Sequence, residues 1–166
     1  MENIQENISN EVIWNMIKEI NDPEIPVLSI IDLGIVRDIN INNDEIEIFI
    51  TPTYSGCPAM DVISLNIRMC LLQNGFDKIK ITQQLSPAWT TDWMTEEGRQ
   101  KLKAYGIAPP IGKTFDKKYL EEELKVECPQ CGSINSKLIS QFGSTACKAL
   151  YQCKDCLEPF DYFKCH

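Results

Sequence analysis

The sequence predicts an α+β fold in which a small three-stranded sheet packs with helices and is followed by a small cysteine-held β ribbon. Apolar residues recur with a helical period in some segments and alternate with polar residues in three others, which indicates both helices and strands. Near the end of the chain, two Cys-x-x-Cys pairs supply four thiolates, the number that a tetrahedral zinc ion binds. The ribbon is therefore predicted to be a zinc ribbon.

The chain length allows one main domain and one small metal-held domain. A chain of 166 residues can bury a real core but is short for two full-sized domains. We place the α/β domain at 1–110, a linker at 111–125 and the ribbon at 126–166. The linker carries clustered lysines and glutamates, which is typical of a solvated segment.

An apolar stripe over residues 4–20 predicts an amphipathic helix that is capped at Ser9 or Asn10. Ile13 and Ile17 widen an apolar stripe that recurs every fourth residue, and most charged side chains lie outside it. The stripe consists of Ile4, Ile8, Val12, Met16 and Ile20. The helix is expected to end before Pro23, because the residue preceding a proline is driven out of the helical region.

A β-hairpin and a second helix follow. Isoleucines alternate with polar residues on both sides of a turn at 42–44, which predicts two strands with one buried face. From residue 59 the apolar period becomes helical, with Pro58 suited to the first turn and Gly75 to the end of the helix. Alternation over 79–85 predicts a third strand.

Cys57 lies just before this second helix. Exposed amide hydrogens and the positive end of the helix dipole favour a thiolate there, so the position predicts a pKa below that of a free cysteine. The alternative is a small buried residue without a chemical role, and both interpretations stay open at this point. Cys70, on the apolar face of the same helix, is expected in the core.

Residues 88–94 place two tryptophans and a methionine within seven positions. Aromatic side chains at this density usually fill a core, and we expect Trp89 and Trp93 to do so. If they are exposed instead, they form a docking surface for a partner. A short helix is predicted over 95–105, closed by Gly106.

The four thiolates of the ribbon belong to Cys128, Cys131, Cys153 and Cys156. Each pair forms a tight knuckle, and together the two knuckles predict a structural zinc site. Two disulfides are the alternative. The polar start of the chain shows no secretory signal, so we expect a cytoplasmic protein, and in that compartment reduced thiols favour metal ligation.

Two cysteines and three aromatic residues remain in the ribbon. Cys147 and Cys165 are additional to the four knuckle residues. The small core that zinc alone does not supply is assigned to Phe160, Tyr162 and Phe163. Strands at 138–142 and 149–152 are expected to carry the second knuckle back to the first.

The net charge of −8 lies in the first 112 residues, because eight lysines balance eight carboxylates in the rest of the chain. An acidic body and a neutral tail argue against nucleic-acid binding, since contacts of Lys and Arg with phosphate supply most of the non-specific affinity. No apolar run of the sequence approaches the length of a membrane span. We expect neither a nucleic acid nor a membrane as partner.

A single histidine, His166, limits the chemistry that this chain can perform alone. Catalytic triads, two-histidine iron sites and di-iron carboxylate bundles need internal imidazoles, and the sequence has no Gly-rich phosphate loop. A nucleophile at Cys57 would lack the histidine base that such sites usually use. We therefore expect a protein that is not an enzyme by itself and whose chemistry rests on cysteine.

Several motifs resemble known families. Three segments of this chain resemble the signature segments of small cytosolic domains implicated in iron–sulfur cluster assembly. They are DPE at 22–24, IDLGIV at 31–36 and TPTYSGCP at 51–58. Longer motifs extend a resemblance along the whole chain to the D subunits of 1,2-phenylacetyl-CoA epoxidase, a complex of aerobic phenylacetate degradation. They are SPAWTTDWMT at 86–95, YGIAPP at 105–110, FGSTACKALY at 142–151 and FDYFKC at 160–165.

This resemblance implies an accessory subunit that matures or inserts metal–sulfur centres. Its implied partners are the other subunits of the epoxidase complex, with the iron–sulfur reductase as the client. By position, Cys57 is the candidate thiolate for a transient iron–sulfur cluster, and Asp32 and Thr53 are the neighbours that orient or polarise it. Tyr54 departs from the family pattern by placing a bulky side chain close before Gly56 and Cys57.

Two alternatives accompany this hypothesis. The chain could be a structural or docking subunit whose aromatic segment and ribbon bridge other subunits without handling a cluster. The ribbon could also hold or pass on a cluster, with Cys147 and Cys165 as the extra ligands. A closed tetrahedral zinc site argues against the second alternative, because it already uses all four knuckle thiolates.

Overall fold

The computed structural model describes residues 9–111 and 124–164, which divide into two compact units with a boundary between Ala88 and Trp89. The described residues form three α-helices, one 3-10 helix, a three-stranded sheet and a four-stranded sheet, which confirms the α+β prediction. Every helix within these residues falls short of the length and apolar character that crossing a bilayer requires.

The first unit contains one sheet and two helices. Its elements are α1 (Asn10–Ile17), β1 (Val36–Asn42), β2 (Glu45–Ile50), α2 (Ala59–Gln73) and β3 (Ile79–Gln83). Strands β1 and β2 form the predicted antiparallel hairpin, whereas β2 and β3 are parallel, so the sheet order is β1-β2-β3. Because parallel neighbours need a crossover connection, α2 carries the chain from β2 to β3.

Aliphatic side chains build the core of the first unit. In β2 the side chains alternate between the core and the outside, and in α2 they are buried at a four-residue spacing. Fully buried members of this core include Ile13, Ile17, Ile48, Ile50, Ile63, Ile67 and Leu71. Helix α1 begins after its N-cap Ser9, as predicted, but ends at Ile17, before the end expected near Pro23. Ile4 and Ile8 of its stripe lie outside the described residues.

The second unit contains a four-stranded sheet with the order β4-β7-β6-β5. Its elements are the 3-10 helix η1 (Thr91–Trp93), α3 (Glu96–Tyr105), β4 (Ile107–Ala108), β5 (Ser136–Ser140), β6 (Lys148–Cys153) and β7 (Pro159–Phe163). Helix α3 begins where the Thr95 hydroxyl accepts a hydrogen bond from the Gly98 amide, and it ends at Gly106 with φ of 95°. These ends agree with the predicted helix.

Aromatic side chains dominate the core of the second unit. Tyr151 stacks on Phe160 with ring centroids 6.0 Å apart, and Trp89 meets Phe163 edge-on at 5.9 Å. Trp89 is buried and Trp93 is half-buried, so the core interpretation of the aromatic segment is confirmed for Trp89. The aromatic residues assigned to the ribbon core are buried as well.

The boundary between the units differs from the domain limit drawn at residue 110. Strand β4 pairs in parallel with β7, with Ile107 opposite Asp161, so the segment from Trp89 onward belongs to the sheet of the second unit. A salt bridge of 2.8 Å between Lys103 and Glu127 also ties α3 to the chain before the ribbon. Most of the linker drawn at 111–125 lies outside the described residues.

Candidate functional site

The structure brings the four knuckle cysteines together. All four Sγ atoms of Cys128, Cys131, Cys153 and Cys156 lie within 4.8 Å of one another. The Sγ atoms of Cys128 and Cys156 are 3.7 Å apart, and those of Cys131 and Cys153 are 3.6 Å apart. Both distances are far longer than the S–S bond of about 2.05 Å in a disulfide, so the thiols are free.

Backbone hydrogen bonds shape both knuckles in the same way. The Cys128 amide donates to the Ser133 carbonyl at 2.8 Å, and the Cys153 amide donates to the Glu158 carbonyl at 2.9 Å. Each knuckle then needs one residue with a positive φ just after its second cysteine. Gly132 adopts 75° in the first knuckle, and Leu157 adopts 68° in the second.

A polar clasp joins the two knuckles. The Asp155 carboxylate accepts hydrogen bonds from the hydroxyl of Ser133 and, at 2.8 Å, from the side-chain amide of Asn135. These two hydrogen bonds hold the pKa of the Asp155 carboxyl below its usual range. The Lys154 amide donates to the Asn135 carbonyl at 2.8 Å, so the backbone supports the same connection.

The cysteine cluster is half inside the ribbon. Cys128 and Cys153 are fully buried and belong to the core that contains Tyr151 and Phe160, whereas Cys131 and Cys156 are exposed. A hydrogen bond from the Cys156 amide lowers the pKa of the Cys153 thiol to about 7, against the opposing effect of burial. A metal bound here would join the aromatic core to the protein surface.

The spacing of the sulfurs fits a tetrahedral ion. Zinc–sulfur bonds of about 2.3 Å place the sulfurs of a regular tetrahedron about 3.8 Å apart, close to the two Sγ–Sγ distances of the cluster. Four thiolates around one ion form a closed site with no open position for a substrate. The chemistry of this donor set is therefore that of a structural metal site.

The remaining cysteines of the ribbon do not join this cluster within the described residues. Cys147 is buried, and its Sγ lies 3.0 Å from the Thr145 hydroxyl. Its carbonyl accepts a hydrogen bond of 2.9 Å from the Lys164 amide, which fixes the loop against the last strand. Cys165 lies outside the described residues.

Cys57 lies at the start of α2, in the connection from β2. Gly56 has a φ of 77°, and an added Cβ there would meet nothing within 4 Å, so the chain before Cys57 is open to one side. The Cys57 amide donates to the Tyr54 carbonyl at 3.2 Å, which closes the turn before the helix. The thiol itself is half-buried, and so is Cys70, which was expected in the core.

The expected direction of the Cys57 pKa is wrong. Burial raises the pKa of this thiol above its ordinary value, although hydrogen bonds from the Ala59 amide and the Tyr54 side chain act in the opposite direction. The negative charges of Glu24 and Asp22 raise it further. The amide at the helix start does favour the thiolate, as expected, but desolvation has the larger effect.

Asp32 has a structural role in the turn before β1. The side chain is buried, and its Oδ2 accepts a hydrogen bond of 3.1 Å from the Ser29 amide while the Ser29 hydroxyl accepts one of 3.0 Å from the Asp32 amide. Thr53 is half-buried in the segment between β2 and Cys57. A role of Asp32 and Thr53 in orienting Cys57 stays a prediction.

Three residues near Cys57 are absent from the site that the sequence predicts. Tyr54 hydrogen-bonds the thiol, so its bulky side chain belongs to the environment of Cys57. Asp22 and Glu24 act on the thiol through their charge, and the Asp22 Oδ1 also accepts 2.8 Å hydrogen bonds from the amides of Glu24 and Ile25. The resemblance could have found all three, because Asp22 and Glu24 belong to the DPE motif at 22–24 and Tyr54 belongs to the TPTYSGCP motif at 51–58.

Two family models match the chain. One, described as "Iron-sulfur cluster assembly protein", matches residues 10–74, and the other, described as "PaaD zinc beta ribbon domain", matches residues 113–164. The fold and the cysteine cluster therefore define the class of protein, an iron–sulfur assembly domain followed by a zinc ribbon.

One relative matches almost the whole chain. It is an Escherichia coli (strain K12) protein whose name describes it as a candidate D subunit of 1,2-phenylacetyl-CoA epoxidase. The two chains are 52% identical over 153 residues, with 92% of this chain and 91% of the relative covered. The chain belongs to the family of 1,2-phenylacetyl-CoA epoxidase D subunits. The resemblance seen in the motifs is thereby confirmed.

Two further comparisons concern about half of the chain. A Porphyromonas gingivalis protein named "Fe-S protein maturation auxiliary factor" is 33% identical over 96 residues, which are 57% of this chain and 90% of that relative. The crystal structure of a domain of unknown function from Bacillus anthracis matches with a TM-score of 0.52 and 24% identity, covering 55% of this chain and 89% of that structure. The second comparison supports the fold alone.

Proposed function

We propose that this chain is an accessory subunit of a phenylacetyl-CoA epoxidase system and matures or inserts an iron–sulfur cluster, with the iron–sulfur reductase of that system as its client. The match to an epoxidase D subunit over nine-tenths of both chains carries this proposal. The iron–sulfur assembly model on residues 10–74, which include Cys57, supports the maturation step. The proposal includes a cytoplasmic location, where thiols stay reduced.

The environment of Cys57 suits a transient contact with its cargo. A thiol must lose its proton before it binds a metal, so a raised pKa weakens apparent metal affinity at neutral pH. The Tyr54 hydrogen bond favours the thiolate once it forms. Cys57 would therefore bind an iron–sulfur cluster weakly enough to release it to a client, while Asp32 and Thr53 position the surrounding chain.

The four-cysteine ribbon has a different part in this proposal. We assign zinc to its metal site, because the sulfur spacing and the four-thiolate donor set fit a closed tetrahedral ion. The zinc folds the ribbon and takes no part in cluster transfer. The ribbon then serves as a platform that contacts other subunits of the epoxidase complex.

Replacement of Cys57 by serine tests the proposal. The variant is co-expressed with the reductase, and iron and acid-labile sulfide are measured in the purified reductase. We expect cluster occupancy to fall at least several-fold. Cys70→Ser is the matched control, because Cys70 is a second half-buried thiol on α2 whose Sγ donates to the Met16 carbonyl at 3.4 Å.

Unchanged cluster occupancy with Cys57→Ser would remove Cys57 from the mechanism. If, in addition, the chain co-purifies in fixed stoichiometry with the mature epoxidase, it is a docking subunit that handles no cluster. A loss with both the Cys57 and the Cys70 variants would instead indicate an effect on the folding of α2.

A further inference from the structure

Helix α2 is apolar on two opposite faces. One face packs into the core of the first unit through residues such as Ile63, Ile67 and Leu71. The opposite face carries a second apolar row that is exposed to solvent. Its members are Val62, Leu65, Met69 and Leu72, which we call the α2 stripe.

The α2 stripe is continuous and exposed. Its members are 44%, 57%, 47% and 45% exposed in chain order, so each presents about half of its side chain to solvent. At about 100° per residue, the four positions fall within an arc of about 80° on the side of the helix opposite the core. Their spacing of i, i+3, i+7 and i+10 is the pattern with which a helix inserts into a groove of a partner.

A row of this kind differs from scattered surface leucines. Single exposed apolar residues are normal on a protein surface, whereas a contiguous patch of a few hundred Å² is about the size of the largest patch on a typical monomer, which is often functional. A surface helix usually places polar residues opposite its core. The α2 stripe therefore indicates a bound partner rather than packing within the first unit.

The charge of the first unit argues against a second copy as that partner. Residues 1–88 contain thirteen carboxylates and five basic side chains, so this unit carries the whole net charge of −8. Two copies that bound each other through α2 would bring two units of net charge −8 together, and these like charges would repel each other. Four half-exposed side chains also offer only a few hundred Å², well below the roughly 800 Å² per partner of a standard interface.

The same charge defines the chemistry of the partner. The exposed Asp61 lies next to Val62 at the start of the stripe, and the one basic side chain of α2, Arg68, donates to the Ile79 carbonyl at 3.1 Å. An apolar groove lined by lysine or arginine would match both the stripe and its acidic surroundings. Small area and opposite charge fit a short-lived complex.

The stripe begins close to Cys57. Val62 follows Cys57 by five residues, and only Pro58 separates Cys57 from the first residue of α2. A partner bound along α2 would thus extend to the thiol. We propose that the α2 stripe is the docking surface for the client of Cys57, and that the client binds it with an apolar groove rimmed by basic side chains. This inference rests on the proposed function.

A double substitution on the stripe tests the inference. Full-length chain with Leu65→Ser and Met69→Ser is titrated with the purified iron–sulfur reductase, the client in the proposed function, and its affinity is compared with that of the wild-type chain. We expect the affinity to fall at least tenfold. The control is Leu85→Ser, which removes a leucine that is 63% exposed in the same unit but outside α2, and it should leave the affinity unchanged.

Two further measurements sharpen the test. Binding should weaken several-fold between 50 mM and 500 mM salt, because charges of opposite sign are screened. Equal affinity of the stripe variant and the wild type for the reductase, or no measurable binding of the reductase by the wild-type chain, would overturn the inference. A wild-type dimer that the stripe variant converts to a monomer would also overturn it, since a second copy would then occupy the surface.

The outcomes separate this inference from the proposed function. If Cys57→Ser lowers cluster occupancy while the stripe variant binds its client normally, the function stands and the docking surface is elsewhere. If the stripe variant loses binding while Cys57→Ser leaves cluster occupancy unchanged, the docking surface stands and Cys57 has no part in cluster transfer.

Discussion

The two units of this protein use cysteine in opposite ways. The first unit has an aliphatic core, and Cys57 lies half-buried outside it. The second unit has a smaller ribbon core in which Cys128 and Cys153 are themselves members. The comparison teaches that the ribbon uses two of its thiols as core residues, whereas the first unit keeps Cys57 out of its core.

The pKa values of Cys57 and Cys153 shift in opposite directions. At Cys57 burial and the nearby Glu24 and Asp22 carboxylates outweigh the amide at the helix start, so the pKa is raised. At Cys153 backbone amides of the knuckle lower the pKa to about 7. The contrast is between Cys57 and Cys153 only, because the pKa values of Cys131 and Cys156 in the same cluster are raised.

The largest effect should come from removing the ribbon metal. In Cys128→Ser the four-thiolate site is incomplete, and structural zinc in such sites is worth about 10–16 kcal/mol of apparent binding free energy at pH 7. We expect the amide NMR signals of 126–164 to lose dispersion while those of 9–88 keep theirs. Metal analysis should find about one zinc per wild-type chain and almost none in the variant.

Cys147→Ser is the matched control for that experiment. This thiol is equally buried in the ribbon but lies outside the four-sulfur cluster, so the variant should keep its zinc. If the ribbon stays folded after the metal is chelated, the claim that the second unit needs its metal to fold is wrong. Iron and sulfide in place of zinc would show that the ribbon holds a cluster.

A smaller loss is expected from truncation in the first unit. Ile63→Ala removes a fully buried side chain of α2 and should lower the free energy of unfolding by about 2–5 kcal/mol. Val62→Ala, one position along the same helix but 44% exposed, should change it by no more than about 0.5 kcal/mol. Urea titrations at constant zinc would measure both, and equal losses would mean that the α2 stripe is packed inside the fold.

The smallest effect concerns the thiol itself. Tyr54→Phe removes a hydrogen bond that favours the Cys57 thiolate, so the pKa of Cys57 should rise further. Glu24→Gln removes a nearby negative charge and should lower that pKa. Peptide mass spectrometry of alkylation against pH would show the midpoint moving up in the first variant and down in the second. The rate at neutral pH should change by about two- to threefold.

Alkylation of Cys70 in the same samples provides the control for both variants. Burial alone raises its pKa, so neither substitution should move its midpoint. Midpoints of Cys57 that move together in the two variants would show that the local turn, and not the two named side chains, controls the thiol.

Much of the fold could be predicted because its signals are local. Alternation in β1 and β2 and the change of period at α2 lie within short stretches of sequence. Strand β4 could not be predicted in this way, since Ile107–Ala108 is too short to show a period. Its partner β7 follows far along the chain, and the pairing exists only in the folded unit.

The candidate site divides along the same line. The sequence alone shows the two Cys-x-x-Cys pairs, and the structure brings their four sulfurs together as predicted. These cysteines are Cys128, Cys131, Cys153 and Cys156. The pKa of Cys57 depends partly on Asp22 and Glu24, which lie in the turn after α1. The position of Cys57 before α2 in the sequence does not show that these carboxylates are near it. The exposed apolar face of α2 could not be predicted from the sequence either, because a leucine on the core face and one on the exposed face both fit a helical period.

The left-handed backbone at Leu157 sets an order for the disassembly of the ribbon. Gly132 adopts its positive φ in the first knuckle without steric cost, whereas a side chain in this region costs about 1–2 kcal/mol. Leu157 is 66% exposed, so burial offsets little of that cost. When the metal leaves, the second knuckle gains more by relaxing. After chelation we therefore expect the Cys153–Glu158 backbone hydrogen bond of the second knuckle to be lost before the Cys128–Ser133 hydrogen bond of the first.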